Sequence, residues 1–189
     1  MKTFAPDGVP QSMNSFRWIL CLAASLPVLT VCGGEPPAAH TAALTKMILT
    51  VRKTFPDVKT ISTTNLAAWL SDASRPQPQL LDVRTPKEYA VSHLHGARLV
   101  SPDAKAAEVM ATVDGQRPLV VYCSVGYRSS QLAERLRSAG PVQVMNLEGS
   151  IFAWANEDRA LEREGLSVAK VHPYDKRFGQ MLKPERRAP

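Results

Sequence analysis

Cysteine is scarce in this sequence, and its placement excludes most of sulfur's structural uses. Three cysteines occur in 189 residues, at positions 21, 32 and 123, and no two form a Cys-x-x-Cys pair. A dithiol redox centre is therefore excluded. Long apolar runs are missing too. The stretch Trp18 to Cys32 has 15 residues and is interrupted by Ser25, Pro27 and Thr30. It is short of the roughly 20 residues a membrane-spanning helix needs. No internal repeat is visible.

What remains is ordinary globular usage. With 44% hydrophobic and 21% charged residues, the chain has enough apolar side chain to bury a core and does not resemble a disordered polymer. The length suits one domain with a targeting segment or tail besides. The formal charge of +6 is unevenly spread: from Lys170 onward six basic residues face two acidic ones, which is +4 of the total. Residues 167–189 are read as a basic C-terminal tail whose charge suggests solvent, with packing of Val171 through Leu182 on the domain, or against a partner, as the alternative. They do not read as a stacking platform for nucleic acid, and no nucleic-acid partner is expected.

Arg17 followed by the interrupted apolar run reads as a secretory signal peptide over residues 1–33, with Met13 an alternative start. The expectation is an exported protein of the cell envelope or periplasm. Leu29-Thr30-Val31-Cys32 also resembles a bacterial lipoprotein signal, which makes Cys32 a candidate lipid anchor. Ordinary cleavage near Gly33 or Ala38 competes with it, because the lipoprotein pattern wants a small residue where Val31 stands. In either case Cys123 becomes the single thiol inside the mature domain.

Residues 34–57 read as a linker followed by a helix from Thr41 to Phe55, with Leu44, Ile48, Val51 and Phe55 on one face and Pro56 as its stop. Short strands are expected at Val58–Ile61, Leu80–Val83, Ala97–Val100, Pro118–Tyr122 and Val142–Met145. Helices are expected from Ser62–Asn65 onward and at Pro86–Val91, Asp103–Val113, Tyr127–Ala139 and Ser150–Ala155. Strands alternating with helices at this spacing predict an α/β sandwich around a mainly parallel sheet, spanning residues 58–166.

The chemistry concentrates at the end of the most apolar strand. Leu119-Val120-Val121-Tyr122 delivers Cys123 to the carboxyl edge of the sheet, where open α/β sheets bind ligands. Ser124, Val125, Gly126 and Tyr127 follow, then Arg128. Gly126 can adopt a positive φ, so the turn can curl its amides inward over an anion. The helix that starts there adds the positive end of its dipole. A cysteine ending a strand is ordinarily inert. One set in such a cradle has its thiolate favoured and becomes nucleophilic near neutral pH.

Four separated motifs, in order between Val58 and Trp154, resemble the rhodanese-like domains. They are Leu81-Asp82-Val83-Arg84 with Glu88-Tyr89, Ser92-His93-Leu94-His95-Gly96-Ala97, Tyr122-Cys123 through Arg128-Ser129, and Asn146-Leu147-Glu148-Gly149-Ser150 through Ala153-Trp154. Ser92, His95 and Ser150 depart from the family's glycine, proline and glycine. The resemblance implies the fold class: α/β, a rhodanese-like three-layer sandwich whose mainly parallel central sheet is flanked by helices. It also implies a sulfurtransferase of the thiosulfate type. Cys123 would be the persulfide-forming nucleophile, with Ser124, Val125, Gly126, Tyr127 and Arg128 binding the donor. The implied partners are a small-molecule sulfur donor and a thiol, cyanide or protein acceptor.

Asp82 and Arg84 are expected to organise a neighbouring loop, and Trp154 to sit in the core. No cofactor is implied. No metal is expected either, because no carboxylate or cysteine completes a set with His93 and His95. Phosphatase or arsenate chemistry, found on related sites with five residues between cysteine and arginine, is disfavoured by the four present here. A non-catalytic binding module is disfavoured because such domains usually lack the cysteine.

Overall fold

The computed structural model describes residues 38–140 and 142–189. The readings of a signal peptide, a start at Met13 and a lipid anchor at Cys32 lie outside the described residues.

Helix α1, Ala39–Thr54, buries Leu44 and Val51, two turns apart, and ends at Phe55 ahead of Pro56. Strand β1, Thr60–Ile61, leads into α2, Thr63–Ser71, where the Ser62 hydroxyl accepts the Asn65 amide at 3.1 Å as an N-cap. Next come β2, Gln79–Asp82, and α3, Pro86–Val91, which opens on a capping box between Thr85 and Glu88. Strand β3, Arg98–Leu99, and helix α4, Ala106–Met110, precede β4, Leu119–Tyr122. Helix α5, Tyr127–Arg137, strand β5, Val144–Leu147, and helix α6, Ser150–Asn156, complete the alternation.

Five strands pair in the order β1-β5-β4-β2-β3, every pairing parallel. The pleat of β4 sorts the core into two layers. Val120 and Tyr122 join Leu66, Trp69, Ile151 and Phe152 on one face, while Leu119, Val121 and Cys123 join Val109, Leu132 and Leu136 on the other. Helices α2 and α6 therefore cover one face and α4 and α5 the other, the three-layer sandwich that the alternation of elements predicts. The helix expected over Asp103–Val113 is shorter. A turn in which the Ala104 amide bonds Ser101 O precedes it, and beyond it the Asp114 amide turns to Gln79 Oε1.

The C-terminal region departs from expectation. Strands β6, Leu161–Arg163, and β7, Leu166–Val168, form a hairpin. Its two-residue turn, Glu164-Gly165, has positive φ at both positions (53° and 76°), as the right-handed twist of a tight hairpin requires. Helix α7, Lys176–Gly179, and a 3₁₀ turn at Pro184–Arg186 follow.

Residues 167–189 are thus not the solvated tail that their charge suggested. Val171, Met181 and Leu182 are buried in the same cluster as Phe152 and Trp154. The Asn156 side chain bonds Met181 O and the Lys183 amide, each at 2.8 Å. The basic groups have local partners: Lys183 and Arg186 both pair with Asp158, and Arg187 donates to Leu182 O. A count of charges could not register three apolar anchors spread over a dozen residues.

Candidate active site

Strand β4 ends by presenting Cys123 to the loop that enters α5. Gly126 takes φ +105°, a conformation that calls for glycine, and a Cβ there would crowd Asn146 Nδ2 at 3.2 Å. Helix α6 clamps the loop from behind. The Ile151 and Phe152 amides donate to the carbonyls of Cys123 and Ser124 at 3.2 and 3.1 Å. These first-turn amides have no partner within their own helix, and the loop carbonyls supply one. Ser150 Oγ accepts the Cys123 amide at 3.2 Å while donating to Leu147 O at 3.1 Å. Ser150 itself adopts φ +52°, a left-handed conformation that suits the glycine it replaces.

The thiol of Cys123 is 1% exposed, and the Gly126 amide donates to its Sγ at 3.2 Å. Burial alone would push the thiol's pKa up. The nearby Arg128 charge and the amides of Ser129 and Gly126 outweigh it, and the net direction is down. The Ser129 hydroxyl points the same way, but its single proton is engaged with Asn146 Oδ1 at 2.7 Å. The charge and the amides are therefore the stabilising set.

Arg128 does not hang free over the loop. Its Nη1 and Nη2 donate to the two carboxylate oxygens of Glu88 at 2.9 and 2.8 Å, and Nη2 also reaches Ser124 Oγ at 3.0 Å. Ser124 donates in turn to Glu88 Oε1 at 2.9 Å. Glu88 is 2% exposed, yet its pKa falls to about 2. Burial works against ionisation, but the bonds from Arg128 and from the Thr85 amide and hydroxyl overcome it. Burial likewise opposes the charge on Arg128, and the Glu88 bonds raise its pKa regardless. One carboxylate thus caps α3 and fixes the arginine beside Cys123. Its partner Arg128 lies 40 residues on and was not readable from local spacing.

Above Cys123 lies a cavity of about 170 Å³. Its floor is Cys123, Ser124, Val125, Tyr127 and Arg128, so all the expected site residues except Gly126 line it directly. Its roof is Tyr174 and Phe178, from the segment whose charge suggested solvent. The Tyr174 ring lies 5.0 Å from the Arg128 guanidinium and packs edge-on against Phe178 with centroids 5.2 Å apart. Tyr127 packs in the same edge-on way against Phe55. Packing of Val171 through Leu182 on the domain was one sequence expectation, but the place of Tyr174 and Phe178 over the cavity was not readable, because it depends on how the segment folds back.

Asp82 and Arg84 form a fully buried pair, Nε–Oδ1 2.9 Å and Nη2–Oδ2 2.6 Å, and Arg84 Nη2 also binds Ser92 O. They tie the end of β2 to the following loop and do not line the cavity. Trp154 is buried, with Nε1 on Ala160 O at 2.8 Å. Glu162 on β6 pairs with the two histidines, contacting His95 Nδ1 and lying 3.4 Å from His93 Nε2. It was missed because it sits 67 residues on from His95. Among the described residues, no three such side chains converge in a way that would hold a metal ion.

The profile described as Rhodanese-like domain matches residues 66–157, a range that ends before Tyr174. The chain is 34% identical over 99 residues to the probable adenylyltransferase/sulfurtransferase MoeZ of Mycobacterium tuberculosis, covering 52% of this chain and 25% of that protein. It is 36% identical over 89 residues to a sulfurtransferase of Allochromatium vinosum, covering 47% of this chain and 76% of the relative. It therefore spans about a quarter of the mycobacterial protein and about three quarters of the other. Among solved structures, the thiosulfate sulfurtransferase from Pseudomonas aeruginosa shares the fold. The TM-score is 0.52 at 20% identity, over 66% of this chain and 23% of that one. The parallel five-stranded sheet, the cysteine loop at the end of its central strand and these relatives agree: the chain belongs to the rhodanese-like domain family.

Proposed function

We propose that the protein is a sulfurtransferase that carries sulfane sulfur as a persulfide on Cys123, taking it from a donor of the thiosulfate type and giving it to a thiophilic acceptor. The observation that carries this reading is a buried thiol at the floor of a cavity, its pKa lowered by Arg128 and by two amides. The Cys123 thiolate attacks the outer sulfur of the donor. A Cys–S–S bond forms, the donor's own sulfur–sulfur bond breaks, and with thiosulfate the sulfite leaves carrying the electron pair. A nucleophile, cyanide in an assay or a thiol in the cell envelope, then takes the outer sulfur and restores the thiolate. The four residues between Cys123 and Arg128 form a tight loop suited to one added sulfur atom. The Gly126 amide, already on Sγ, is placed to follow the charge outward.

Intact mass after incubation with thiosulfate tests the reading. Wild-type protein gains the mass of one sulfur and Cys123→Ser gains none; sulfur loading in the serine variant, or none in the wild type, rejects it. Arg128→Gln removes the charge beside Cys123 while leaving a donor for Glu88, so the thiol's pKa rises. Its loading rate drops most below neutral pH and recovers as pH is raised; an unshifted pH profile rejects Arg128 as the source of thiolate stabilisation. Residues 1–33 we read as an export signal, which a mass for the exported protein starting beyond residue 32 would support and an unprocessed chain would reject. A mass starting at Cys32 with added acyl groups would establish the lipid anchor.

A further inference from the structure

The cavity above Cys123 is close to neutral and largely aromatic. Among the described residues its one lining cation, Arg128, is held by both oxygens of the Glu88 carboxylate. With Cys123 ionised, the formal side-chain charges of Cys123, Arg128 and Glu88 sum to one negative, and the amides and helix start that could offset it already hold the thiolate. A dianionic donor such as thiosulfate enters that field against repulsion and finds little free positive charge. Lys176 and Arg177 flank the roof in sequence, but they are exposed, do not line the cavity, and act only through screened solvent. What the cavity does offer is carbon: Val125 and the rings of Tyr127, Tyr174 and Phe178.

The roof is also built to stay in place. Val171 and Leu182, on either side of it, are fully buried, and the Val171 amide bonds Arg186 O at 2.8 Å. The Asp175 side chain caps α7 by accepting the Phe178 amide at 2.8 Å. Tyr174 holds φ +66°, a conformation a tyrosine rarely adopts, with its amide on His172 Nδ1 at 3.0 Å. A strained backbone between two buried anchors sets an aromatic ring over Arg128.

We propose that Tyr174 and Phe178 determine specificity, selecting organic sulfane-sulfur donors with an apolar or aromatic body over inorganic thiosulfate. This rests on the persulfide reading of Cys123. For an organic thiosulfonate the step is balanced in the same way as for thiosulfate. The thiolate attacks the outer sulfur, a Cys–S–S bond forms, the S–SO₂R bond breaks, and the sulfinate leaves with the electron pair. The body R lies against the rings, and one charge fewer enters the cavity.

Benzenethiosulfonate and methanethiosulfonate are matched probes, each a monoanion, differing only in that body. Sulfur loading of Cys123, read by intact mass against time and donor concentration, gives an efficiency for each. The wild type is expected to favour the benzene compound by about tenfold or more, with the difference in KM, the scale of a few methylene equivalents in an apolar pocket. The variant Tyr174→Ala/Phe178→Ala is expected to bring that ratio within about threefold, on the same scale. Tyr174 is 48% exposed, so Tyr174→Ala alone provides a change that leaves the core intact, and it lowers the ratio part-way. Tyr174→Phe, which keeps the ring, retains it. Equal use of both probes by the wild type, or a preference that survives the double change, overturns the proposal. If thiosulfate loads the protein and the aromatic preference is absent, the roof inference alone has failed. If no donor loads it, the persulfide reading has failed with it.

Discussion

The floor of the Cys123 cavity is one short stretch, residues 123–128, lying between a strand and a helix. Its roof is Tyr174 and Phe178, about fifty residues further along the chain. The floor's shape is dictated locally: an apolar strand aims Cys123, Gly126 supplies the positive φ, and α5 begins at once. The roof's shape is dictated at a distance, by Val171, Met181 and Leu182 finding the core beside α6. On the proposed reading the chemistry resides in the floor, where a few adjacent residues hold one atom, and what the cavity admits depends on the roof. The comparison is open to attack at the roof's anchors, at the ion pair under the floor and at the clamp behind it.

The largest effect on stability is expected at the anchor. Leu182 is fully buried, so Leu182→Ala removes apolar contact and leaves a cavity, at a cost of about 2–5 kcal/mol. Urea unfolding measures it. A segment that was merely solvated would change by no more than about 0.5 kcal/mol, and such a result would dissolve the distinction between roof and tail.

That contrast also explains what the sequence could and could not disclose. The alternation of strands and helices, the aim of β4 and the grouping of Cys123 to Arg128 at one strand end follow from periods of two and 3.6 residues and from one glycine. The hairpin of β6 and β7 escaped because each strand is three residues long and its turn is Glu-Gly, not the commoner Asn-Gly or Asp-Gly. Glu88 entered only as part of a family motif, and its hold on Arg128 depends on α3 and α5 meeting across the sheet edge. Tyr174 and Phe178 stood among basic residues whose charge suggested solvent. For Glu88, Tyr174 and Phe178 the missing information is a contact across many residues, which neither periodicity nor composition encodes.

Beneath the floor, the Glu88–Arg128 pair should appear as a pH dependence. The folded-state pKa of Glu88, about 2, lies below the ordinary carboxylate value, so its contribution is fully present above that ordinary value. It is lost as pH falls toward 2, because the folded state must then take up a proton it resists. The depression corresponds to about 3 kcal/mol, given that Glu88 is almost wholly buried. Glu88→Gln should be less stable at neutral pH and should lose less stability than the wild type between pH 5 and 2. Parallel stability curves for the two proteins would mean that the pair contributes nothing on ionisation.

The smallest effect concerns the clamp behind the floor, where Ser150 holds the Cys123 amide at 3.2 Å from a left-handed backbone with φ +52°. Ser150→Ala keeps the backbone strain and leaves that buried amide without its acceptor, a loss of about 1–3 kcal/mol. Ser150→Gly loses the same acceptor but relieves the strain, because glycine visits the left-handed region freely; it should be more stable than the alanine variant by about 1 kcal/mol. The difference between the two variants isolates the backbone term, since neither side chain can accept a hydrogen bond. Equal stabilities would mean that the turn has relaxed away from φ +52°, and the serine would then be there for its hydroxyl alone. A glycine variant as stable as the wild type would show that the hydroxyl bond only offsets the strain it accompanies, and that the floor is held by Ile151 and Phe152.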